Sequence, residues 1–144
     1  MNDMVHLVCP ACTGVNRIPR QKLTAGPKCG KCKEGLFGEK PVELTATTFS
    51  KFIQRNEIPV VIDCWAPWCG PCRAMAPAFE QAAMELAPQV RFAKLNTENE
   101  QALGANLSIR SIPTLLLFVE GKEVARQAGA MSVADITRWV GDHL

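Results

Sequence analysis

The chain has 144 residues, 47% of them hydrophobic and 21% charged, which suits one ordinary soluble domain with an appendage and excludes a disordered or fibrous chain. Its first residues, MNDMVHLVCP, lack the basic start and apolar stretch of a secretory leader, and no apolar run is long enough to cross a bilayer, so a cytoplasmic location without membrane contact is expected. The net charge of +2 is unevenly divided: seven Lys or Arg face three acidic residues up to position 40, and nine face eleven thereafter. The basic leading segment holds a single aromatic, Phe37, too few to stack bases, so nucleic acid is not an expected partner.

In chain order, residues 1 to 40 come first. They are rich in turn residues and poor in apolar periodicity, so little burial is expected of them. A module this short needs a staple, and disulfides rarely persist in a reducing compartment. Cys9 and Cys12 are two residues apart, Cys29 and Cys32 likewise, and sixteen residues separate the pairs. That is the spacing of a four-thiolate zinc site, in which each CxxC turn aims two sulfurs at one metal. With all four positions filled by protein, the expected Zn2+ is a single structural ion. A disulfide-linked or redox-active tail is the competing reading of these cysteines.

From Pro41 the pattern changes. Thr47 or Thr48 can cap a helix running to about Asn56, and VVIDCW (60–65) reads as a buried strand. A helix from Cys72 to Leu86 places Met75, Phe79, Ala82, Ala83 and Leu86 at helical spacing, with a kink expected near Pro77. VRFAKLN (90–96) is a strand, 99–106 a short helix, and TLLLFV (114–119) a strand. Glu120-Gly121-Lys122 turns into the strand EVARQAG. Ser132 caps a last helix, with Asp135 three residues on and Val133, Ile136, Trp139 and Val140 facing inward. The alternation, with a hairpin near the end, predicts an α/β domain over 41–144: a central mixed sheet flanked by helices on both faces, preceded by a small zinc-ribbon-like module over 1–40.

The third CxxC, Cys69-Gly70-Pro71-Cys72, stands alone between a buried strand and a helix, with no second pair to complete a metal shell. Residues three apart on a first helical turn are within reach of a disulfide. The helix N-terminus offers unpaired N–H groups and a partial positive charge, which favours thiolate at Cys69, the expected nucleophile. Cys72 is the expected resolving thiol. Pro71 near the first helical position costs no hydrogen bond there.

WAPWCGPCR, with Asp63 in the strand before it and SIPT at 111–114 after it, resembles the thioredoxin family over about residues 41–144, and the double CxxC in front resembles that family's zinc-carrying members. The resemblance implies a thioredoxin fold and a protein-disulfide reductase. Its substrates would be proteins containing disulfides, and an NADPH-dependent thioredoxin reductase would recharge it, so no NADPH or flavin is expected on this chain. A monomer is also expected. By the same resemblance Asp63, whose charge burial should suppress, relays a proton to or from Cys72, with Lys94 as its partner. Pro113 takes the place of a cis proline that exposes the Ile112 backbone to an extended substrate strand. Trp68, Gly70, Pro71 and Gly129 fall on the substrate-facing rim. Trp65 belongs either to that rim or to the core. Two residues depart from the family's commonest pattern: Cys64 stands where phenylalanine is expected, read as a small buried hydrophobe with a redox role as the alternative, and Arg73 follows Cys72 where lysine is frequent.

Overall fold

The computed structural model describes residues 3–38 and 40–144. Five strands, β3 (Val42–Leu44), β4 (Val60–Trp65), β5 (Arg91–Asn96), β6 (Thr114–Val119) and β7 (Lys122–Ala128), form one sheet in the order β3-β5-β4-β6-β7, and a separate hairpin pairs β1 (Met4–Val8) with β2 (Val15–Pro19). β3, β5 and β4 run parallel, and β6 and β7 antiparallel, so the sheet is mixed. Parallel strands need crossovers, and helices α1 (Phe49–Arg55) and α2 (Gly70–Leu86) supply them; α3 (Gln101–Asn106) leads from β5 to the antiparallel β6, and α4 (Val133–Asp142) closes the chain.

Side chains alternate across each strand, which splits the interior into two layers. Ile62, Cys64, Ala93, Leu95, Leu116 and Phe118 pack under α1 and α3 with Phe49, Phe52 and Ile53. Val61, Phe92, Leu115 and Leu117 pack on the opposite face against Met75 and Phe79 of α2 and Ile136, Trp139 and Val140 of α4. Asp63 occupies that second face, in the middle of β4.

Three local expectations change. The Thr48 hydroxyl makes no bond into α1 but accepts from the Thr45 N–H at 2.9 Å, closing the turn before the helix instead of capping it. α2 begins at Gly70, two residues ahead of Cys72, with Cys69 as its cap and Pro77 inside it. Residues before 40 bury more than their composition suggests: Val5, Leu7 and Leu36 are fully buried together with Cys9, Cys29, Leu23 and Ile58. The reason is that this small core borrows a wall from the main domain. Arg91, at the start of β5, donates to the Val8 carbonyl at 2.9 Å and the Leu36 carbonyl at 2.5 Å, and is stacked between Phe37 and Phe52. Asn56 accepts from the Val8 N–H at 2.9 Å and from Arg91 Nη1 at 3.2 Å. His6 pairs with Glu57, at 2.8 Å between Nδ1 and Oε1, and takes no place at the cysteine cluster.

Candidate redox and metal sites

Cys69 caps α2 in extended geometry, and its sulfur accepts the Cys72 N–H at 3.2 Å. The two cysteines form a disulfide with Cα atoms 5.3 Å apart. Helical spacing thus provides both the covalent reach and the N–H that would hold a thiolate once the bond opens. Both cysteines are nearly buried, whereas Trp68 beside them is 66% exposed and the flanking Gly70 and Pro71 are exposed too.

The opposing wall is the Ile112–Pro113 peptide, which is cis. The Ile112 carbonyl lies 3.8 Å from Cys69 Sγ, and Ile112 and Trp65 pack against the small cluster of Ala66, Cys69 and Cys72. Gly129 closes the rim: its N–H donates to the Pro113 carbonyl at 2.9 Å, and its φ of +100° is a conformation that favours glycine. An open groove of about 350 Å³ runs from Trp68 past Ile112 and Arg110 to Gly104 and Thr97. Trp68, Ile109 and Ile112 give it apolar walls next to the disulfide.

Behind the disulfide, Asp63 has no exposed surface and neither carboxyl oxygen has a hydrogen-bond partner. Burial pushes its pKa up to about 7, with the Lys94 charge opposing that rise. Lys94 is directly opposite Asp63 in the β4–β5 ladder but forms no ion pair with it; its ammonium sits 4.4 Å from the centre of the Trp65 ring. Trp65 therefore lies between rim and core, half-buried, with the cation on its face. Cys64, one residue from Asp63, is fully buried on the other side of the sheet, and burial raises its thiol to about 12. Arg73 is exposed one residue beyond Cys72.

At the far end of the sheet the other four cysteines converge. The sulfurs of Cys9, Cys12, Cys29 and Cys32 lie within 4.8 Å of one another, with Cys9 to Cys32 at 3.5 Å and Cys12 to Cys29 at 3.6 Å. A tetrahedron with Zn–S arms of about 2.3 Å has edges near ~3.8 Å, so the cluster fits zinc. The surrounding donors fit it too. N–H groups of Ala11 and Cys12 point at Cys9 Sγ, that of Gly14 at Cys12 Sγ, and those of Lys31 and the Asn16 amide at Cys29 Sγ, all between 3.3 and 3.4 Å. Such donors stabilise thiolate charge. The four cysteines expected from the sequence are the ones that come together, whereas Asn16, whose amide also accepts the Gly30 N–H at 2.8 Å and ties the two knuckles together, had no sequence signal.

Two family profiles match the chain. The thioredoxin profile covers residues 40–142, and the profile described as Thioredoxin 2, N-terminal, a zinc ribbon, covers residues 8–34. Thioredoxin C-3 of Corynebacterium nephridii is 44% identical over 138 residues, 96% of this chain and 94% of that protein. Thioredoxin of Haemophilus influenzae is 40% identical over 96 residues, 67% of this chain and 90% of that protein. Thioredoxin 1 of Synechococcus elongatus is 38% identical over 101 residues, 70% of this chain and 94% of that protein.

Proposed function

The chain belongs to the thioredoxin family, and on that footing we propose that it reduces disulfides in protein substrates by reversible closure of the Cys69–Cys72 pair. The observation that carries this reading is the disulfide at the N-terminus of α2, facing Trp68 and the Ile112–Pro113 edge. An extended substrate strand lies along that edge and pairs with the Ile112 backbone, with Trp68, Gly70, Pro71 and Gly129 as its other contacts.

Two exchanges follow. Cys69 thiolate attacks a substrate sulfur; the substrate S–S bond breaks, one substrate thiolate leaves, and a mixed disulfide remains on Cys69. The Cys72 thiol then gives its proton to the Asp63 carboxylate and attacks Cys69 Sγ. The Cys69–Cys72 bond forms and the second substrate sulfur leaves as thiolate. A group titrating near 7 suits this step, since it accepts and returns a proton at little cost. Lys94 opposes the burial of that charge.

Oxidised protein returns to the dithiol with electrons from an NADPH-dependent thioredoxin reductase, which holds the flavin and nicotinamide, so this chain needs neither. Residues 1–40 form a zinc module and 41–144 the catalytic domain. Cys9, Cys12, Cys29 and Cys32 would hold one Zn2+, which supplies a structural cross-link and no open coordination position. A monomer working in the cytoplasm completes the proposal, supported by five cysteines outside the disulfide and by the absence, among the described residues, of a helix long and apolar enough to span a membrane. The test is turnover of a disulfide-bonded protein in a reductase-coupled assay. Cys69→Ser should fall to the uncatalysed rate, and a variant retaining wild-type turnover would refute the assignment.

A further inference from the structure

Glu43 is a charged neighbour of the redox centre to which the reaction assigns no task. In the parallel ladders Glu43 is opposite Lys94, and Lys94 is opposite Asp63, so the three occupy one row across β3, β5 and β4. Facing side chains in adjacent strands have Cβ atoms about 5 Å apart. Alternation puts the whole row on the α2 and α4 side of the sheet, because Val42 and Leu44, on either side of Glu43, pack on the other side. Trp65, two residues beyond Asp63, shares that side and carries the Lys94 ammonium over its ring.

A second observation marks the same row. Among the described residues, the buried side-chain polar atoms without a hydrogen-bond partner are Asp63 Oδ1, Asp63 Oδ2 and Trp65 Nε1. Both carboxyl groups feel the Lys94 charge, and among the described residues no ion pair includes Lys94. The other side chains packed on this face of the sheet bring no charge: Leu115 of β6 is opposite Asp63, Met75 and Phe79 come from α2, and Ile136 and Val140 from α4. Burial raises the Glu43 carboxyl above its ordinary value, against the pull of Lys94 and of the Trp65 indole N–H, which lies near it without completing a hydrogen bond. Of the two acids, Glu43 on the exposed edge strand is the cheaper to ionise.

We propose that Glu43 is a positioning residue of the redox centre, its carboxylate drawing the Lys94 ammonium toward the open edge of the sheet so that Asp63 shares its cation instead of owning it. The inference rests on the proton transfer between Cys72 and Asp63 described above. Removing the Glu43 charge takes away a repulsion on Asp63 and frees Lys94 to approach it. Both effects favour the Asp63 carboxylate, so both lower its titration midpoint.

The experiment follows the Asp63 carboxyl by carbon NMR across pH in the oxidised full-length protein, and measures the pH profile of mixed-disulfide resolution alongside. Glu43→Gln should lower the Asp63 midpoint by roughly half a unit or more, the size expected for one charge at this range in a partly screened site, and should move the profile with it. Lys94→Gln should raise the midpoint, and Glu43→Asp should restore the wild-type value. An Asp63 midpoint in Glu43→Gln within about 0.2 units of wild type would overturn the proposal. Failure of the underlying proton transfer would show separately, as an Asp63→Asn variant whose resolving rate and pH profile match the wild type.

Discussion

Asp63 is the residue on which stability and chemistry pull in opposite directions. Its carboxyl is buried without a partner, and its pKa is raised from 3.8 to about 7. The folded state therefore binds a proton that the unfolded chain has released between those values, and stability falls as pH rises through that window. Above pH 7 the penalty is fully present; below about pH 4 it is absent. Asp63→Asn should then stabilise the oxidised protein by about 4 kcal/mol at pH 8 and by little at pH 4, since three pKa units correspond to roughly that energy. Denaturant unfolding midpoints at the two pH values check it. The same substitution should slow resolution of mixed disulfides, because the proton acceptor is gone. Cys64, one residue along, is buried with its thiol held neutral, and should resist alkylation in the native protein, as measured by mass shift.

At the scale of elements, the junction between the leading hairpin and the sheet depends on two polar side chains. Asn56 and Arg91 together satisfy the Val8 N–H, the Val8 carbonyl and the Leu36 carbonyl. Arg91 is buried among these groups and two aromatic rings, and burial draws it down to about 10. Asn56→Ala should cost about 1–3 kcal/mol by leaving a buried N–H unmet. Arg91→Met should cost at least as much and should raise amide exchange across β1 and β2 ahead of the rest of the chain, measured by hydrogen exchange. This junction is also where the sequence was hardest to read. From Val42 onward, apolar periodicity or turn residues mark every helix and the four strands from β4 on; β7, almost wholly exposed, is marked by the turn before it. The hairpin is different. Val5 and Leu7 alternate with Met4 and His6, a short period-two signal in a segment dominated by cysteine and turn residues. Arg91 at a strand start and Asn56 at a helix end look like solvent residues until the module lies against them. Glu43 is equally silent, since its meaning comes from strand register. The CxxC pairs were legible because spacing and neighbours together separate them: two pairs sixteen residues apart suit one metal shell, and a lone pair at a helix start suits a disulfide.

Over the whole molecule the two cysteine sites are kept apart. The four-cysteine cluster adjoins the start of β4 and β5, through Val8 and Arg91, and the disulfide follows the other end of β4. Strand rise of about 3.3 Å per residue puts roughly 17 Å of sheet between Val60 and Trp65. Removing zinc should therefore melt the small core of Val5, Leu7 and Leu36 while leaving disulfide turnover largely intact. Chelation followed by circular dichroism and the coupled assay separates the two outcomes; parallel loss of both would contradict the independence argued here. The sharpest test of the central claim, that Cys69 attacks and Cys72 resolves, is mass spectrometry of the Cys72→Ser variant after reaction with a disulfide-bonded protein. A stable mixed disulfide should accumulate on Cys69. No adduct on Cys69, or equal trapping on Cys72 by Cys69→Ser, would contradict the account.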